Sequence, residues 1–146
     1  MTMKVETRST INHDIRCGLA LLTDIVLPGT DRLPSGRSVD AHGELLDRVL
    51  LADPALVPAV IELGRRASKD KVTSIADIAH WERKPLESAI FALTAAYYMA
   101  REVHRALNYP GLRPHPIAEA TADEKYSEEL LAPVRARGAI YVEAPE

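Results

Sequence analysis

The chain has a single cysteine, Cys17, a single tryptophan, Trp81, and a single phenylalanine, Phe91, in 146 residues. One thiol cannot form an intrachain disulfide or a thiolate cluster for a metal, so neither can hold the fold together. Net charge is −3 with no basic excess, which argues against nucleic acid as a partner because no field is aimed at phosphates. No apolar run reaches the roughly 18 residues that span a bilayer, so direct membrane insertion is not expected. The first residues, MTMKVETRSTINHDIR, lack an apolar segment before a small-residue cleavage site and lack a twin arginine. They predict neither a Sec nor a twin-arginine signal, and hence a cytoplasmic protein. GxSxG, GxGxxG, Walker, HExxH and CxxCH patterns are all missing, which removes the common nucleophile, dinucleotide, phosphate, zinc and haem signatures. No strand alternation and no internal repeat occurs.

What is present is helical. Apolar residues make up 47% and charged residues 27%, ordinary for a globular domain, and the length suffices for one buried core. Asn12 or Asp14 can cap a helix in which Ile15, Leu19, Leu22 and Val26 keep a 3.6-residue period, stopping at Pro28-Gly29. The stretch PGTDRLPSGRS reads as a surface connection. A second helix is expected from about Val39 to Ala52, burying Leu45, Leu46, Val49 and Leu50. Asp53-Pro54 reads as the cap and first position of a third helix, with Pro58 delaying its regular start by a turn. Ser74 should cap a short helix from Ile75 to about Lys84 that carries Ile78 and Trp81.

A long helix is then expected from Pro85 to about Leu107, about 33 Å at 1.5 Å per residue. Its stretch SAIFALTAAYYMA carries no charge. Ile90, Leu93, Tyr97 and Ala100 supply one apolar face, and Phe91, Ala95, Tyr98 and Met99 supply another. One face would suffice for a surface helix, so either the domain encloses the helix or a partner covers part of it. Beyond Leu107 the composition changes: residues 108–146 hold five of the ten prolines, and four basic against seven acidic residues. The expected fold class is therefore all-α. It is a small bundle of four to five helices over residues 1–107, with an extended, proline-rich C-terminal arm over 108–146 that docks on a partner. Only SEELLAPVRARG suggests a helical turn or two, with Ser127 as cap. Proline-rich segments are extended before they bind, which lowers the ordering cost of docking. Tyrosine and arginine are residue types that anchor interfaces.

Chemistry is hard to find in the remainder. Of five histidines, His80 with Asp77 is the one candidate pair on an expected helix, and two ligands do not make a metal site. Cys17, amid Gly18, Leu19 and Ala20, is expected to be a buried, inert thiol. Arg101 and Arg105 lie one turn apart, where interaction with a helix C-terminus would account for them.

Taken together, YYMAREVHRALNYPGLRPHPI and LLAPVRARGAIYVEAP resemble the C-terminal part of the gluconate 2-dehydrogenase subunit 3-like family. The likeness rests on Tyr97 and Tyr98, then Leu107, Tyr109, Pro110 and Gly111, then Arg113, Pro114 and Pro116. It ends on Leu131, Pro133, Val134, Ala136, Arg137, Gly138, Ile140 and Tyr141. About 50 residues are covered, with a weaker likeness at LLADPALVPAV; Asn108 stands where the family pattern has glycine. The resemblance implies a helical, non-catalytic small subunit that binds and stabilises a large FAD-dependent dehydrogenase or oxidase of the glucose–methanol–choline (GMC) type. That partner would act on alcohol groups of sugars or related compounds. FAD is expected in the partner and no cofactor in this chain. The expected interface comprises Phe91, Tyr97, Tyr98, Tyr109, Pro110, Arg113, Pro114, His115, Pro116, Arg135, Arg137 and Tyr141. Two other readings stay open. One is a free-standing helical enzyme or ligand-binding domain built around Tyr97, Tyr98, Arg101 and Arg105. The other is a helical adaptor or chaperone for an unrelated protein.

Overall fold

The structure is a computed structural model that describes residues 11–112 and 127–138. Its regular elements are all helical, and no strand occurs among the described residues. The all-α bundle expected from periodicity is what forms. The chain divides after Gly111 into a helical unit, Met1–Gly111, and a second unit, Leu112–Glu146.

Helix α1 spans His13–Val26. The Asn12 side chain accepts a hydrogen bond from the Ile15 N–H at 3.0 Å, satisfying one of the free amides of the first turn. The helix stops at Leu27, one residue before Pro28. Ile15, Leu19 and Leu22 point into the core. Helix α2 spans Glu44–Ala52, five residues shorter at its start than the apolar pattern suggests. Asp40 explains the difference: its φ of +52° is left-handed, and a right-handed helix cannot pass through it. The Arg16 side chain then fastens α1 to the start of α2. Its guanidinium donates to the carbonyls of His42 at 2.6 Å and Gly43 at 3.2 Å, and pairs with Asp47.

Asp53 accepts from the Ala55 N–H at 3.1 Å, and Pro54–Leu56 form a single 3-10 turn before α3, Val57–Asp70. The delayed start matches the reading of Pro58. Helix α3 packs against α1 on one side and α5 on the other. The α1–α3 crossing is made by two glycines. A Cβ on Gly18 would collide with the Gly64 carbonyl and come within 2.7 Å of the Ser68 nitrogen. Backbone therefore lies against backbone here, an approach open only to glycine.

Helix α4 is one turn, Ile75–Ile78, capped by Ser74 and Asp77 in a reciprocal capping box. It ends well before Lys84: the Trp81 N–H donates to the Ile78 carbonyl at 3.0 Å in a turn that seats the indole in the core. The Arg66 guanidinium lies 4.7 Å from the ring centroid, within cation–π range. Helix α5 follows at Arg83–Tyr98 and packs on α2 and α3.

The single long helix expected from Pro85 to Leu107 is instead two. Helix α5 ends at Tyr98, and α6 spans Arg101–Ala106. At the junction the Met99 and Ala100 N–H groups turn back to Ala96 and Tyr97, and Ala100 is extended at ψ 133°. The redirected chain buries Tyr97, Ala100 and Val103 together in the core. The Tyr98 carbonyl, released from the helical ladder, accepts from the His104 ring at 2.6 Å. Helix α6 closes with two C-terminal bonds, Tyr109 N–H to His104 carbonyl at 2.8 Å and Asn108 N–H to Arg105 carbonyl at 3.1 Å. This is a Schellman cap, and Asn108 supplies its left-handed residue at φ +52°. Residues 107–109 are thus part of the helical unit, which runs to Gly111.

In the second unit, α7 spans Glu128–Arg137, longer than the turn or two expected, with Ser127 accepting from the Leu130 N–H at 3.2 Å. Arg135 pairs with Glu128 at 2.6 Å, and no residue of α7 is buried. The extended course expected of the arm falls mostly on residues 113–126 and 139–146, outside the described residues. No described helix is long and apolar enough to cross a membrane.

His42 makes the helical unit sensitive to acid. Its Nδ1 is enclosed without a hydrogen-bond partner among the described residues. Burial holds the imidazole below the ordinary histidine range; Asp40 opposes this, and Arg37 and Arg16 reinforce it. The unfolded chain therefore binds the proton more readily than the folded one. The stability tied to His42 is complete above the unfolded value of about 6.5. It is lost as pH falls through that value towards the lower folded one. The thermal midpoint should drop as pH goes from about 7.5 to about 5, and His42→Gln should reduce that dependence. An undiminished slope in the variant would exclude His42 as the source.

Candidate functional site

The expected interface residues fall in three places. Phe91 and Tyr98 lie on α5, separated by seven residues and so on one face about 10.5 Å apart. They are 61% and 52% exposed. Thr94 and Ala95, between them on that face, are half-buried. Tyr109 is 48% exposed and meets the His104 ring edge-on at a centroid distance of 5.2 Å. Because His104 also holds the Tyr98 carbonyl, it ties the Tyr98 backbone to the Tyr109 ring at the end of the bundle. Leu107, 47% exposed, lies two residues before Tyr109 in the same terminal turn. Pro110 is exposed just beyond it.

Tyr97 does not belong to this surface. It is 4% exposed, and its hydroxyl donates to the Pro34 carbonyl at 2.8 Å. The two tyrosines are one helical step apart, about 100° around the axis, so one faces the core and the other solvent. Their rings meet at 5.4 Å, near perpendicular. Burial raises the Tyr97 hydroxyl above its ordinary pKa, the neighbouring Tyr98 adding to the effect. The hydroxyl is therefore a neutral donor to the 27–43 loop. Past the connection at 28–38, the same loop places Ala41 in the core.

Arg135 and Arg137 stand on α7, exposed, with Arg135 committed to Glu128. Arg113, Pro114, His115, Pro116 and Tyr141 lie outside the described residues.

The chemical candidates read differently in three dimensions. Cys17 is exposed rather than buried, because the inward face of α1 is taken by Ile15, Gly18, Leu19 and Leu22. Its sulfur is 3.5 Å from the His13 Nε2. His13 is exposed as well, so the pair lacks the enclosure that shields a thiolate nucleophile from water. The Asp77 carboxylate accepts from the N–H groups of Thr73 at 2.8 Å and Ser74 at 2.9 Å. Those bonds hold its carboxyl below the usual range and assign it to capping. No group of three or more metal-ligating side chains occurs among the described residues. A groove of about 350 Å³ is lined by Val39, Asp40, Glu44, Leu45 and Arg48. Its polar groups are the Asp40 and Glu44 carboxylates and the Arg48 guanidinium, with no histidine, thiol or hydroxyl.

The sequence-level signal for the exposed group was the uncharged stretch of α5, which is apolar on more than one side. His104 was missed as a member, since its role depends on a helix break that no glycine or proline announces. The chain matches no protein-family model, no curated protein and no solved structure.

Proposed function

We propose that this chain is a non-catalytic small subunit that binds and stabilises a large FAD-dependent dehydrogenase or oxidase of the GMC type. The observation that carries the reading is the exposure of three aromatics: Phe91 and Tyr98 on one face of α5, and Tyr109 where the chain leads into its proline-rich segment. Isolated exposed apolar residues such as Leu51 and Ile75 need no explanation. Three large exposed aromatics, two on one face of α5 and one after α6, on a chain with so few of them, fit a surface that another protein covers. The ordered series of Tyr-Pro-Gly, Arg-Pro-x-Pro and Pro-Val-x-Ala-Arg-Gly supports the choice of partner class. In this reading FAD and the oxidation of an alcohol group belong to the partner, the complex is a hetero-oligomer, and its location is cytoplasmic.

The test is affinity purification of the tagged chain from its native host, with mass spectrometry and a visible spectrum of the eluate. A large subunit in fixed ratio, with flavin absorbance, is expected. Replacing Tyr98 and Tyr109 with alanine should weaken that complex by about 2–4 kcal/mol if both are hot spots. A colourless eluate holding this chain alone would refute the reading.

A further inference from the structure

The helix break changes what Arg101 can be for. In an unbroken helix, Arg101 and Arg105 would both sit near the C-terminus, where cations are favoured. In the folded chain Arg101 is the first residue of α6, the end at which a helix disfavours positive charge. Both arginines are exposed, one turn apart, on the side of α6 away from buried Val103. His104, between them in sequence, carries the contacts to Tyr98 and Tyr109. Among the described residues, neither guanidinium lies within ion-pair distance of a carboxylate. Among the described residues, the two exposed cations therefore flank His104 in sequence without an ion pair of their own.

We propose that this end of the bundle is one half of a charge-matched interface. Its other half is an apolar groove on a protein partner, edged by carboxylates that pair with Arg101 and Arg105. The inference deepens the subunit reading and rests on it, since it assigns the chemistry of the flavoprotein surface that the chain would meet. Phe91 and Tyr98, two turns apart, form a ridge of the kind that seats in a groove. Arginine suits the rim because its planar fork pairs carboxylates bidentately. A protein is favoured over an anionic membrane because Glu102 stands between the two cations in sequence and the chain carries a net charge of −3.

The experiment uses the full-length chain, wild type and R101E/R105E, each co-expressed with the flavoprotein recovered with it and then titrated against the purified partner. R101Q/R105Q serves as a milder variant, and thermal melts verify folding. Expected are a wild-type complex that weakens as salt rises, and a loss of roughly tenfold or more in affinity on reversal, mostly through slower association. The glutamine pair should fall between. A folded reversal variant with wild-type affinity and salt dependence would overturn the inference while leaving the subunit reading intact. A wild-type chain that retains no flavoprotein would overturn both. Reversal-sensitive binding to phosphatidylserine vesicles without a flavoprotein, or a reversal-sensitive dimer in light scattering, would replace the proposed partner with a membrane or a second copy.

Discussion

Gly18→Ala is expected to destabilise the helical unit by about 3 kcal/mol or more, a large part of a typical domain's stability. The added methyl meets the Gly64 carbonyl and approaches the Ser68 nitrogen and the Gly64 carbonyl carbon, at 2.7 and 2.8 Å. All of these are backbone, so no rotamer change can relieve the clash and α1 must move away from α3. That movement would loosen Ile15, Leu19, Val60 and Leu63, all of them buried. Gly64→Ala should cost less. Its Cβ first meets the Ile15 Cγ2 at 2.7 Å, a side-chain methyl with some freedom to shift, although the Ile15 carbonyl and Leu19 Cγ follow at 3.0 Å. Urea denaturation followed by circular dichroism gives both values. Equal and small effects would mean that the two helices do not cross backbone to backbone.

Trp81→Ala should cost about 3–5 kcal/mol. The indole is 5% exposed, caps the turn between α4 and α5, and lies under Arg66. Trp81→Phe should be much milder. Its Nε1 is buried with no partner among the described residues, so phenylalanine removes an unsatisfied donor while keeping much of the apolar volume. The loss would come from the smaller ring and a weaker cation–π contact with Arg66. Thermal melts of the two variants separate these contributions. A phenylalanine variant as unstable as the alanine one would show that the indole nitrogen is satisfied in solution.

Helix starts were legible because one side chain can settle each of them. Asn12, Asp53 with Pro54, and Ser74 all cap where their chemistry indicates. Choices that depend on distant contacts were not legible. The expected helix begins at Val39, yet Asp40 turns left-handed and the helix waits for Glu44. Nothing in the sequence pairs Gly18 with Gly64, since each glycine is unremarkable without the other. The candidate surface was partly readable: an uncharged stretch of α5 has more apolar faces than one small core can cover. Tyr97 and Tyr98 are the same residue type side by side, and only the rotation of the packed helix decides which is inside. Cys17 failed for the same reason, its apolar neighbours in sequence lying on a different side of α1.

The bend at Met99–Ala100 also bears on the order in which the chain acquires its shape. Neither proline nor glycine is present to force it, and alanine, tyrosine and methionine all tolerate a continuous helix. Local preference therefore leaves residues 83–107 free to run straight until Tyr97, Ala100 and Val103 find their places in the core. The corner depends on the core that buries those three residues and not on local preference. A chain that has not completed its core would thus lack the link that His104 makes between the Tyr98 carbonyl and the Tyr109 ring.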